Sequence, residues 1–192
     1  MRKPSQKTTA PPPTYHAKSI LKYDFKTINR TCPTPRNLWT VICTQSFPLS
    51  QFTQSEECHV LAGNPPFHKR TLFDCIVIRS YDPDCIDYSA HVPIFVVLYK
   101  DATEDTEMGW EHAKAQMLEY CRDSLKGRKR IYGVLAVGMK VRVCCCSYPV
   151  GYTSIEDGIE LDLEDPADRC GLEEALVVVR ERGWRWATDL RF

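Results

Sequence analysis

The chain lacks the short signatures that assign most enzymes. It has no Gly-x-x-x-x-Gly-Lys phosphate loop, no Gly-x-Ser-x-Gly elbow and no Gly-rich dinucleotide turn after a strand. No Cys-x-x-Cys or His-x-x-x-His pair is present, so a structural zinc site has little support. Asp82, Asp84 and Asp87 fit no calcium loop, because the sixth place is not Gly and the last is not Glu. Asp82-Pro83-Asp84 reads instead as an ordinary turn. Cys58 and His59 are neighbours, which does not by itself make a nucleophile and its base. No stretch approaches the ~20 apolar residues that cross a bilayer, so no membrane partner is expected. Met1-Arg2-Lys3-Pro4-Ser5-Gln6-Lys7 is followed by no apolar run, so no signal peptide is expected. Net charge is absent too: 25 Lys and Arg balance 25 Asp and Glu. No global field draws the protein to nucleic acid.

What the chain has is enough apolar material for a core, with 43% hydrophobic residues in a length of 192. Charge is unevenly placed. Up to Ser55 the bases are Arg2, Lys3, Lys7, Lys18, Lys22, Lys26, Arg30 and Arg36, against the single acid Asp24. This reads either as an arm that meets phosphate or as a solvated tail. The ten cysteines include the adjacent Cys144, Cys145 and Cys146. Neighbours in a strand point to opposite faces, which ill suits a disulfide framework. Reduced thiols acting as small apolar residues are expected, in an intracellular protein of cytoplasm or nucleus.

Pro4 and Pro11-Pro12-Pro13 make residues 1–16 a basic, Pro-rich, disordered tail. Residues 17–192 are expected to form one domain. Ala17 to Ile28 suits a short helix with Ile20, Leu21, Phe25 and Ile28 as its stripe. Leu38 to Thr44 reads as a strand and Pro48 to Pro66 as a loop. Strands follow at Thr71–Arg79 and Pro93–Lys100, the latter a nearly continuous apolar run. Glu107 to Lys126 is the strongest helix, with Trp110, Ala113, Met117, Tyr120, Cys121 and Leu125 at helical spacing. Ile131–Val137 and Lys140–Cys146 read as strands around a Gly138-Met139 hairpin turn. Asp165 and Pro166 start a last helix, and Trp184-Arg185-Trp186 is expected as a short edge strand. The order implies an α/β or α+β sandwich around one mixed sheet.

Three segments carry chemistry. Asp74 enters the strand Phe73-Asp74-Cys75-Ile76-Val77-Ile78, Lys100 ends Val96-Val97-Leu98-Tyr99-Lys100, and Gln116 and Tyr120 lie one turn apart on the following helix. This arrangement resembles the core of the PD-(D/E)XK nuclease superfamily over roughly residues 38–146, and its Gln-x-x-x-Tyr element is most similar to the RecB-like branch. The resemblance implies a restriction-endonuclease-like mixed sheet flanked by helices. It also implies catalytic roles for Asp74, Lys100, Gln116 and Tyr120. Asp74 would bind Mg²⁺ or Mn²⁺, and Lys100 would stabilise charge at the attacking water. The family places an acid two residues before the Lys, on the same strand face, and this chain has Leu98 there.

Several readings stay open. Asp74 and Lys100 could form a structural ion pair across adjacent strands. Tyr120 could be core and Gln116 a boundary residue. A displaced acid could replace the missing one: Glu119 fits best as the second metal ligand beside Asp74, while Glu111, Glu104, Asp101 and Asp24 are further candidates. Lys126, Arg128, Lys129 and Arg130 suit phosphate contact, a nuclear address, or the cationic end of a helix. The expected functions are therefore a degenerate nuclease-like module binding nucleic acid or protein, an active Mg²⁺- or Mn²⁺-dependent nuclease with a relocated acid, or an intracellular protein with no nucleic-acid role. Only the second carries a metal cofactor.

Overall fold

The computed structural model describes residues 34–61, 71–81, 91–125, 130–147 and 154–188. In chain order the elements are α1 (Pro35–Ser46), β1 (Phe52–Leu61), β2 (Thr71–Tyr81), β3 (His91–Lys100), a 3-10 turn (Ala102–Glu104), α2 (Glu107–Ser124), β4 (Arg130–Val137), β5 (Lys140–Ser147), β6 (Ser154–Asp162) and α3 (Pro166–Thr188). The six strands lie side by side in sequence order. Neighbours run antiparallel except β3 and β4, which are parallel. A parallel pair needs a crossover, and the 3-10 turn with α2 supplies it. This is an α+β fold with a mixed sheet flanked by helices. No helix among the described residues is long and apolar enough to cross a membrane.

Both sheet faces are covered. On one, Leu38, Trp39, Ile42 and Cys43 of α1 and Leu172, Leu176 and Val179 of α3 pack on Ile76, Ile78, Phe95 and Val97. On the other, Trp110, Ala113, Met117, Tyr120 and Cys121 of α2 pack on Cys75, Val77, Val96 and Leu98. Residues alternate between faces along a strand, which is why β3 is apolar and buried from Ile94 to Leu98. Gly138 turns β4 into β5 with a φ of +59°, a conformation that glycine adopts without strain.

Three expectations for local structure fail. Leu38–Thr44 lies in α1, not in a strand. Thr34 accepts a hydrogen bond from the Asn37 amide and Pro35 occupies the first turn, so the helix is well started. Its threonines, which suggested a strand, donate to carbonyls one turn back: Thr40 to Arg36 at 2.9 Å and Thr44 to Thr40 at 2.8 Å. The expected loop at Pro48–Pro66 contains β1, a polar edge strand held by cross-strand pairing with β2. Trp184-Arg185-Trp186 continues α3 rather than forming an edge strand, and β6 is an additional strand. The tail at residues 1–16, the helix expected at Ala17–Ile28, and the acidic turn at Asp82–Asp87 lie outside the described residues.

Candidate functional site

The position of each motif residue follows from the pairing of β2 with β3. Cys75 sits opposite Leu98 and Ile76 opposite Val97. Cys75 and Leu98 belong to the α2-side core, Ile76 and Val97 to the core under α1 and α3. Asp74 alternates with Cys75, so it lies on the α1/α3 side. Lys100 is two residues beyond Leu98, so it lies on the α2 side. The expected Asp74–Lys100 juxtaposition is not formed, either as a catalytic pair or as an ion pair. Phe73, buried in the α2-side core, occupies the β2 face that Lys100 shares.

Around Asp74 the α1-side groups form their own cluster. Cys58 is its partner on β1, and the hydrogen bond from that thiol to the Asp74 carboxylate raises the Cys58 pKa. Tyr99 is pushed up to about 12, first by burial and then by the negative charges of Asp74 and Glu56. Glu56 is bound by Arg36 of α1, and the Thr40 hydroxyl lies 3.5 Å from its other oxygen.

On the α2 side, Lys100 is largely covered, with 13% of its side chain exposed, and its Nζ lies 3.7 Å from Glu104. Gln116 and Tyr120 both face inward, each 1% exposed. The Gln116 side-chain oxygen has no hydrogen-bond partner among the described residues. Burial dominates at Tyr120 and raises its hydroxyl pKa far above the usual value. Glu119 is bound by Arg122 on its own helix. It is also on the other side of the sheet from Asp74, so these two do not meet as metal ligands.

A second polar cluster on this face was not anticipated. Glu57 accepts hydrogen bonds from Arg79 and from Ser55, the latter at 3.0 Å, and its other oxygen lies 3.1 Å from His59. Burial raises the Glu57 pKa, but the Arg79 hydrogen bond and charge, with His59 and Ser55, outweigh it and the net shift is downward. The His59 ring stacks on Phe73 at 5.6 Å and meets Tyr120 edge-on at 5.0 Å. The signal was available in the alternation Ser55, Glu57, His59, but only once that stretch is read as a strand.

Among the described residues, no three His, Cys, Asp or Glu side chains form a group that could hold a metal ion. Of the expected nucleic-acid residues, Lys126, Arg128 and Lys129 lie outside the described residues. Arg130 opens β4, with its guanidinium 5.6 Å from the centre of the Trp186 ring. Trp186 in turn stacks on Tyr132 at 4.3 Å and 27°. Compared with protein families, curated proteins and solved structures, the chain matches none.

Proposed function

We propose that this chain is a PD-(D/E)XK-like domain without an assembled catalytic site, acting as a nucleic-acid or protein binding module. The fold assignment draws support from element order: a helix, a three-strand meander, a crossover helix, and a fourth strand parallel to the third. The loss of chemistry rests on one observation, the Cys75–Leu98 pairing. Metal-assisted phosphodiester cleavage needs carboxylates and a lysine converging on one water and one phosphate. Here Leu98 fills the acid's place, and Asp74 and Lys100 act on opposite sides of the sheet. The reading therefore includes no resident Mg²⁺ or Mn²⁺. An intracellular setting, in cytoplasm or nucleus, is supported by the free thiols of Cys43, Cys58, Cys75, Cys121, Cys146 and Cys170.

The test is a cleavage assay on single-stranded and duplex DNA and RNA with Mg²⁺ and Mn²⁺. The unaltered protein is run beside Asp74→Ala and Lys100→Ala. The expected result is equal, background-level cleavage by all three. Metal-dependent cleavage lost in both variants would establish an active nuclease and overturn the reading.

A further inference from the structure

The pattern of ion pairing singles out one corner of the molecule. Arg36, Arg79, Arg122 and Arg142 each meet a glutamate: Glu56, Glu57, Glu119 and Glu160. Lys100 and Lys140 meet Glu104 and Asp105. Arg169 and Arg180 donate to backbone carbonyls. Arg182 and Arg185, both exposed near the end of α3, have no carboxylate partner among the described residues. Their corner also holds the Trp186–Tyr132 stack and the Arg130 guanidinium over Trp186. Tyr132 senses Arg182: burial raises its pKa most, Cys145 adds to this, and the Arg182 charge opposes both. In sequence, Lys126, Arg128 and Lys129 lead directly into Arg130.

We propose that this corner, where the end of α3 meets the start of β4, is a contact surface for single-stranded nucleic acid. Arg130, Arg182 and Arg185 meet phosphates, and the half-buried rings of Tyr132 and Trp186 offer a surface for an unpaired base. The charges of Arg182 and Arg185, which no carboxylate among the described residues pairs, attract a polyanion. Flat rings among those charges favour a polyanion that carries flat faces of its own, and a base exposes its face only when it is unpaired. A duplex offers the same phosphates but hides those faces, and an acidic peptide has charge without rings. The inference deepens the binding reading above and rests on it for the class of partner. It does not depend on the motif residues. β4 places Tyr132 beside Phe95 of β3, whereas Asp74 falls beside the β3 position of Tyr99, about 13 Å further along at 3.3 Å per residue.

The experiment measures fluorescence anisotropy of a labelled single-stranded oligonucleotide across a salt series. A duplex of the same length and poly-glutamate serve as competitors. The variants are Arg182→Glu/Arg185→Glu, at exposed positions, and Trp186→Leu. Single strands should bind more tightly than duplex, and poly-glutamate should compete poorly. The double charge reversal should weaken binding at least tenfold. It should also make the slope of log K against log salt shallower by about 1.4, from about 0.7 per phosphate contact. Trp186→Leu should weaken binding about tenfold. If that variant fails to fold, the double reversal decides. Binding that is unchanged in affinity and slope by the double reversal overturns this surface and leaves the binding reading intact. Equal competition by poly-glutamate overturns it in favour of an acidic protein partner. No binding to any nucleic acid overturns it together with the nucleic-acid part of the proposed function. Cleavage in the separate assay overturns only the non-catalytic part.

Discussion

Cys75 of β2 pairs directly with Leu98 of β3, and that pairing sends Asp74 and Lys100 to opposite faces of the sheet. A strand has a side-chain period of two, so a shift of one residue exchanges the faces completely. The motif can be legible in one dimension and yet not assemble in three. Had Phe73 and Asp74 been exchanged in order, the acid would have shared the α2 side with Lys100.

Restoring the missing acid should therefore not restore a site. Leu98 is 1% exposed inside the α2-side core. Leu98→Glu buries a carboxylate in an apolar core where the cation on the same strand face, Lys100, already meets Glu104, which costs about 3–5 kcal/mol of stability. Urea unfolding of the variant should show this loss, and adding Mg²⁺ should recover none of it. Recovery on adding Mg²⁺ would mean that the introduced carboxylate and a second one do converge on one ion.

Gly109 fixes how α2 starts after Lys100. A Cβ there would lie 1.9 Å from the Glu104 carbonyl oxygen, which already accepts the Thr106 amide at 2.7 Å. Both atoms in this contact are tied to backbone, so relief requires moving the 3-10 turn or the helix start. Gly109→Ala should destabilise the protein by about 2–4 kcal/mol despite the better helix propensity of alanine. Met108, 69% exposed, is the control, and Met108→Ala should stay within about 0.5 kcal/mol. Equal effects of the two changes, read from thermal or urea midpoints, would remove the crowding argument.

The Glu57 cluster makes a pH prediction with a fixed sign. The folded state holds the Glu57 pKa below the ordinary glutamate value of 4.5. A depressed carboxyl pKa contributes stability above its unfolded value, and that contribution is lost as pH falls through the folded value. Glu57→Gln should thus be less stable than the unaltered protein at pH 7. The gap should close as pH drops below about 4.5. A gap that stays constant down to pH 3 would show that the Arg79 and His59 contacts to Glu57 do not set its protonation.

Much of the fold was readable because periodicity and burial agree. α2, β3, β4, β5 and the Gly138 turn carry strong patterns, and all appear at or near their expected places. α1 was misread because Thr40, Val41, Ile42 and Thr44 favour strands by composition. Its helical stripe Leu38, Trp39, Ile42, Cys43 is short, and tertiary packing decides it. β1 was missed for the opposite reason. Gln54, Ser55, Glu56 and Glu57 offer no apolar alternation, and the strand depends on partners from β2 and α1 that local sequence does not reveal. The site suffered from both errors. Which face Asp74 joins is a matter of strand register, and Arg182 and Arg185 stand out only once the ion pairs of Arg36, Arg79, Arg122 and Arg142 are known.

The face assignment of Asp74 can be checked by chemistry at its neighbour. The thiolate is the alkylating form of cysteine, so a raised pKa slows reaction at a given pH. Cys75 is fully buried and pushed up to about 12, chiefly by burial. Cys43, Cys121 and Cys146 are equally covered. These four should react with iodoacetamide only after unfolding. Cys58 and Cys170 are exposed. At Cys58 the hydrogen bond to Asp74, more than any other cause, raises the thiol pKa. In the native protein at pH 8, Cys58 should therefore be alkylated slowly for an exposed thiol, as followed by peptide mass analysis. Asp74→Asn removes the negative charge and should speed alkylation of Cys58 several-fold. Lys100→Met, on the other side of the sheet, should leave that rate unchanged. If both substitutions alter Cys58 equally, Asp74 and Lys100 share one environment, and the separation argued from the Cys75–Leu98 pairing is wrong.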